Sequence, residues 1–345
     1  MWDRIDSLLE ATESPLSVLR LHRVELLEAR RREAAGLPLD DELKADRTRV
    51  AVDEMAALPL LARVRASWDG PLLLVKGPEV ALDYGAPGLR SFGDLDLLTD
   101  DAQAAQAALI AAGFQEVFDP EIYEGIHHLR PLWWPGLPLV VELHTSVNWP
   151  AAIPGPTTQQ LLAAAVPSRI GVAGITTLPP EEHALVLAAH AWQHQPLGRL
   201  GNLIDVAVTL QRSDPERVET LARDWGCARM WRTTRAAIRT VLEGEGRSAG
   251  VALWARHLAE VRERTVFEWH VKDMLAPVWG LPPRGAIGAV GAELRSTAAP
   301  DGREPWRAKL GRARLAFTNA GVARSEHNLV LEARGEGSTA TEEAG

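Results

Sequence analysis

The sequence predicts an α+β protein, a mixed β-sheet core flanked by an N-terminal helical region and a C-terminal helical bundle. Three observations predict it. Short apolar runs suited to buried strands cluster between residues 72 and 178, helically spaced apolar residues fill the chain on either side, and Pro- and Gly-containing turns separate the two patterns. The division that follows is a helical region over 1–70, a core over 71–178, a helical domain over 179–322 and a largely disordered tail over 323–345.

The first 68 residues read as helices. Leu8, Leu9, Leu16, Val18, Leu19 and Leu21 form apolar clusters interrupted by Pro15. A longer helix is expected over 41–66, where Val50, Met55, Leu58 and Leu61 recur at roughly helical spacing. Pro59 is expected to kink it, and Asp69-Gly70-Pro71 to end it. Leu72-Leu73-Leu74-Val75 is a short continuous apolar run closed by Lys76-Gly77-Pro78, the pattern of a buried strand entering a turn. A short helix over 79–84, a break at 85–88 and a second strand over 94–98 follow. Thr99 or Asp100 is placed to cap an Ala-rich helix that ends near Gly113. A third strand is expected over 139–144 and a fourth within 168–178. Pro179-Pro180-Glu181-Glu182 opens a helix, with proline at its entrance and acids in its first turn. Pro196-Leu197-Gly198 stops it, and further helices are expected over 200–211, 215–225, 228–242 and 251–275.

The bulk properties exclude several classes of function. A chain of 345 residues can build two or three cores, and its 46% apolar and 24% charged composition is that of an ordinary globular protein. The net charge of -9 gives no general attraction to nucleic acid or to an anionic membrane, so neither is an expected partner. No uninterrupted apolar run is long enough to span a bilayer, and the acidic start lacks the layout of a signal peptide, so a cytoplasmic location is expected. Cys227, the single cysteine, rules out an intramolecular disulfide and a multi-thiolate zinc site. Lysine is scarce, which makes Lys76 at the end of an apolar strand conspicuous.

The chemistry centres on Asp94-Leu95-Asp96. Side chains alternate across a strand, so the two acids share one face and Leu95 and Leu97 the other. Two carboxylates on one side repel unless a positive charge sits with them. Mg²⁺ suits that position, because it takes hard carboxylate oxygens and leaves places open for phosphates. In Val141-Glu142-Leu143-His144, Glu142 and His144 share a face. If that strand pairs beside the first, Glu142 completes a three-carboxylate cluster suited to two-metal phosphoryl chemistry.

Lys76-Gly77, then Tyr84-x-x-Pro87-x-Leu89-Arg90-Ser91-x-x-Asp94-Leu95-Asp96-Leu97-Leu98, then Val141-Glu142-Leu143-His144 resemble the signature of the uncharacterised nucleotidyltransferase family, a divergent branch of the DNA polymerase beta-like nucleotidyltransferase superfamily. The resemblance runs from about residue 72 to residue 210. It implies a nucleotidyltransferase-type core in which Asp94, Asp96 and Glu142 bind metal. It also implies that Gly77 lets the backbone approach triphosphate oxygens, and that Lys76 and Arg90, with Ser91 beside them, lie on the phosphate side. Pro78 departs from the pattern: many superfamily members carry Ser there, whereas proline offers neither a hydroxyl nor an N–H.

The expected reaction moves a nucleotidyl group from an NTP to an acceptor that the sequence does not name, whether small molecule, peptide or protein. His144 and His128 are candidates for the acceptor side. The alternative is a nucleotide-sensing or antitoxin-like binding protein that uses the same pocket without turnover. His190 and His194 stand at i and i+4 with His183 near the same face, but Ala191 replaces the glutamate of a zincin site. A helix packed on the core, with His190 hydrogen-bonded to Asp205, is the simpler expectation. Arg229, Arg232, Arg235 and Arg239 read as a solvated basic face, with the lining of an acceptor cleft as the alternative, and Cys227 as a packed small residue.

Overall fold

The N-terminal residues fold as helices, as their periodicity predicts, in a computed structural model that describes residues 1–117, 127–150, 153–193, 196–279, 306–326 and 328. Helices α1 (Trp2–Thr12), α2 (Leu16–Leu21) and α3 (Glu25–Ala34) precede the long α4 (Asp41–Ser67). The Asp40 side chain caps α4 by accepting from the Leu43 N–H at 2.8 Å, and Pro59 sits inside it without ending it. Of the tail expected to be disordered over 323–345, residues 323–326 and 328 are described, Ala323 bridging Thr265 and the Arg324 N–H donating to the Arg264 carbonyl at 3.2 Å; the rest lies outside the described residues.

The core alternates strands and helices. It comprises β1 (Leu73–Leu74), α5 (Pro78–Ala81) running into a 3₁₀ turn, β2 (Asp94–Leu98), α6 (Ala102–Ala111), β3 (Gln115–Glu116), β4 (Leu132–Trp133), β5 (Val140–His144), α7 (Thr158–Ala164), β6 (Val166–Pro167) and β7 (Thr176–Thr177). The strands form one mixed sheet in the order β3-β4-β5-β2-β1-β7-β6, with β2 parallel to β5 and antiparallel to β1. An α+β fold is therefore what the chain adopts.

Each face of the sheet has its own cover. Leu95 and Leu97 point with Val141 and Leu143 into a core closed by Ala57, Leu60, Leu61 and Val64 of α4 and by Ala105 and Leu109 of α6. Leu73, Val75 and Leu98 face the other way, against Leu161 of α7 and Val186 of the next helix. Asp94 and Asp96 share this second face by alternation.

Beyond the sheet come α8 (Pro180–Gln193), α9 (Leu200–Leu210), α10 (Pro215–Asp224), α11 (Ala228–Ile238), α12 (Ala249–Trp254), α13 (Arg256–Ala259), α14 (Val266–Trp279) and α15 (Trp306–Thr318). Their apolar faces and those of α1–α3 meet in one core: Ile5, Leu8, Val24 and Leu27 pack with Leu185, Leu203, Trp231 and Trp254. Several of the chain's tryptophans serve here, Trp254 lying edge-on to Trp192 and to Trp279 with ring centroids 5.2 and 5.3 Å apart. Cys227 is buried, its thiol pushed up to about 12 by burial, as a packed residue should be.

Some elements differ from the sequence-based expectation. The cap of α6 is Asp101, whose carboxylate accepts from the Ala104 N–H at 2.9 Å, rather than Thr99 or Asp100. The fourth strand is a pair of two-residue strands, β6 and β7, because Gly171 and Gly174 adopt positive φ between them. The helix expected over 251–275 is broken into three. Val261 takes a φ of 39°, and the buried Arg264 donates to the Trp254 carbonyl at 3.2 Å and to that of Pro196. Strands β3 and β4 have only two residues each, too few to leave a periodic signal.

Candidate active site

Strand pairing assembles the acidic cluster. The parallel register of β2 and β5 sets Asp96 directly opposite Glu142 and Asp94 opposite Val140. Beyond β1 the ladder continues, the Val75 N–H donating to the Asp96 carbonyl at 3.0 Å, which delivers Lys76 to the same place. His183 of α8 fixes that strand end from behind: its Nε2 lies 2.6 Å from the Val75 carbonyl. Burial holds His183 below the ordinary histidine range, so the ring is neutral and Nε2 carries the donated proton.

Asp96 is the centre of the cluster and is almost fully buried. Lys76 Nζ and His144 Nε2 each lie 3.0 Å from Asp96 Oδ1, and His144 Nε2 lies 3.6 Å from Glu142 Oε2. These are ion-pair contacts by distance, but the donors are not aligned for hydrogen bonding, and both Asp96 oxygens lack a hydrogen-bond partner. Burial alone would push the Asp96 carboxyl up; Lys76 and His144 overcome it and hold the group well below the usual range. In return, against their own burial, Lys76 and His144 are both raised by Asp96. The charge of Asp96, and then burial, push half-buried Asp94 up to about 6.

Ligand atoms of Asp96, Glu142 and His144 all lie within 4.8 Å of one another, close enough to share one cation. Buried carboxylate oxygens with no hydrogen bond, next to a second carboxylate and an imidazole, fit a divalent metal ion. His144, expected on the acceptor side, is thus a member of the cluster itself. His128 also reaches it, with Nε2 3.8 Å from Glu142 Oε2. The rings of His127, His128 and His144 lie together, with centroids 5.1 to 5.2 Å apart. They meet because residue 128 bridges residue 144 antiparallel, extending the sheet beside β5.

The phosphate-side residues divide. Gly77 adopts a φ of 64°, and a Cβ there would lie 3.2 Å from the Asp94 carbonyl, so the turn needs glycine. Arg90 is engaged elsewhere. Its guanidinium forms a two-pronged pair with Asp205 at 2.7 and 2.8 Å and donates to the Gly77 carbonyl at 3.1 Å. It braces the turn through the Gly77 carbonyl. Ser91 lies against the carboxyl of buried Glu25.

Asp205 accepts from Tyr84 and Arg90, which displaces the expected bond to His190. His190 Nδ1 instead lies 3.4 Å from Asn148 Nδ2, and both residues line a small cavity with Lys76, Asp96 and His144. Asn148, His190 and His183 are therefore neighbours of the site that the sequence pattern did not bring to it. His194, the other half of the considered zinc pair, lies outside the described residues.

With this geometry in place, comparison with known families finds one described as "Uncharacterised nucleotidyltransferase", matching residues 13–243. The matched stretch takes in the whole sheet and reaches from ahead of α2 to the π-helical turn after α11. No curated protein and no solved structure matches the chain. Among the described residues no helix is long and apolar enough to cross a membrane.

Proposed function

The chain belongs to the uncharacterised nucleotidyltransferase family, and on that premise we propose that it moves a nucleotidyl group from an NTP to an acceptor, with release of pyrophosphate. The observation that carries this reading is Asp96 paired across from Glu142, with His144 on the same buried oxygen and Asp94 one alternation away. Asp96, Glu142 and Asp94 would hold a divalent ion, Mg²⁺ first among the candidates, and His144 offers a nitrogen beside them. Such an ion, when bound, neutralises phosphate charge and activates an acceptor oxygen.

The chain's own groups prepare the site. Lys76 keeps Asp96 ionised in a buried setting and presents its ammonium on the phosphate side. The Gly77 turn, braced by Arg90, brings backbone close to the same region. His144 directs Nε2 toward Asp96 and Glu142, and with His128 it forms the side from which an acceptor would enter.

One observation favours a nucleotide-binding protein without turnover: Lys76 and His144 already occupy Asp96 Oδ1, each at 3.0 Å. Labelled NTPs with Mg²⁺ or Mn²⁺, alone and with lysate, separate the two readings. Pyrophosphate release or label transfer that disappears in Asp96→Asn is the expected result. Tight NTP binding with no transfer under any of these conditions would establish the binder instead.

A further inference from the structure

With Arg90 committed to Asp205 and Gly77, and with Pro78 removing a hydroxyl and an N–H from the turn, a triphosphate needs other cations. Two of them flank a single contact between the N-terminal helices and α9. The Leu200 N–H donates to His22 Nδ1 at 3.2 Å, and the Gly201 N–H to the His22 carbonyl at 2.8 Å. Arg199 precedes Leu200 and Arg23 follows His22, so the seam carries a guanidinium from each side. The approach depends on Gly201, where a Cβ would lie 2.9 Å from the His22 carbonyl and 3.0 Å from the Arg23 Cβ.

The backbone at Arg23 is itself unusual. It adopts a φ of 56°, a left-handed conformation that a long side chain rarely takes and that clusters at functional sites. The turn lies on the Asp94 side of the sheet. Two residues after Arg23, the Glu25 carboxyl rests against Ser91, which stands three residues ahead of Asp94. On the other side of the seam, Asp205 of α9 binds both Tyr84 and Arg90, and so ties this helix to the Gly77 turn.

Among the described residues, neither guanidinium has an ion pair or a side-chain hydrogen bond. The charge of Arg23 is felt both at Asp94 and at Arg199. Burial, and then that charge, bring half-buried Arg199 down to about 10, which still leaves it a cation at neutral pH. Two like charges that share no ion pair are unfavourable unless an anion lies between them. The first N–H groups of α9 are taken by His22, so an anion here is held by side chains. Guanidinium groups match phosphate oxygens in a planar, two-pronged geometry.

We propose that Arg23 and Arg199 form a polyphosphate subsite that receives the triphosphate tail of the substrate at the seam between the N-terminal helices and α9. Its assignment to an NTP rests on the nucleotidyltransferase reading. The existence of the subsite can be tested without turnover. Inorganic tripolyphosphate is titrated calorimetrically into the full chain in EDTA, comparing wild type with Arg23→Gln, Arg199→Gln, Arg199→Lys and the surface control Arg217→Gln. Each of the first two should weaken binding roughly tenfold, with Arg199→Lys intermediate and the control unchanged. Melting curves without ligand show that the variants are folded, and Arg23→Gln, at an exposed turn, serves if Arg199→Gln does not fold. No binding by wild type, unchanged affinity in both variants, or an equal loss in the control overturns the subsite. Arginine-dependent tripolyphosphate binding without transfer from any NTP keeps the subsite and removes the enzymatic reading. Transfer with an unaltered NTP dependence in both variants does the reverse.

Discussion

Asp96 is held in a state that few buried carboxylates keep: ionised, with Lys76 Nζ and His144 Nε2 each 3.0 Å from one oxygen, and hydrogen-bonded by neither. Removing one partner should therefore expose how much of the site is electrostatic. Lys76→Met leaves Asp96 with His144 alone, and an unpaired buried charge of this kind typically costs about 3–5 kcal/mol of stability. A divalent ion that binds the same oxygens replaces the lost charge, so Mn²⁺ or Mg²⁺ should raise the melting temperature of Lys76→Met by more than that of wild type. Equal shifts in both proteins would mean that the ion does not bind at Asp96. His144 adds a second test, because imidazole suits Mn²⁺ and Zn²⁺ whereas carboxylate and water suit Mg²⁺. His144→Ala should lower the preference for Mn²⁺ over Mg²⁺ in calorimetric titration; an unchanged ratio would place His144 outside the metal's ligands.

At the scale of elements, the site depends on a turn and its brace. Gly77 closes β1 in a left-handed conformation against the Asp94 carbonyl, and Arg90 ties the same residue to Asp205 on α9. Asp205→Ala strips a buried guanidinium of its two-pronged partner and should cost about 3–5 kcal/mol. It should also impair nucleotide binding, since the turn loses its support; urea unfolding and NTP titration measure the two effects. A loss within the roughly 0.5 kcal/mol of a surface change would show that Arg90 finds another partner. The strands bearing Asp94, Asp96 and Glu142 were legible because a strand's two-residue period assigns faces directly, and a continuous apolar run marks a buried strand. The parallel pairing of β2 with β5 was a condition in the sequence reading, and the register meets it. The partner of Arg90 was not legible: Asp205 lies 115 residues away, and no local pattern signals an ion pair of that span. The same holds for His183 and Val75, separated by 108 residues.

At the scale of the whole molecule, a seam joins the N-terminal helices to the helices that follow the sheet. Residues of α1–α3 and of α8–α13 share one core, and His22 lies at their junction, buried between Arg262 and Leu200. Its Nδ1 accepts from the Leu200 N–H, so Nε2 carries the proton and donates to the Arg262 carbonyl at 3.0 Å. The buried His257 ring lies 6.0 Å away. Burial lowers His22 to about 4, and burial with the charge of Arg264 holds His257 well below the ordinary range. His183 is lowered in the same way. A histidine whose folded pKa lies below its unfolded value leaves the unfolded chain binding more protons between the two. Its contribution is present above about pH 6.5 and is lost as the pH falls toward the folded value. For His22 that window runs from about 6.5 down to about 4. His144 and the raised carboxyls of Asp94, Glu25 and Asp53 act with the opposite sign, Asp94 only below about pH 6, whereas His22 and His257 lose stability throughout the interval below about 6.5. Stability from urea unfolding should therefore fall as the pH is lowered from 7 to 5, by up to about 1.4 kcal/mol per pH unit for each lowered histidine. His257→Asn should be less stable at pH 7 yet show a shallower dependence on pH, because one of the groups that must stay neutral has been removed. A wild-type stability that is flat or rises on acidification would show that the seam admits the proton, and that the N-terminal helices are joined to α9 less tightly than His22 and His257 imply.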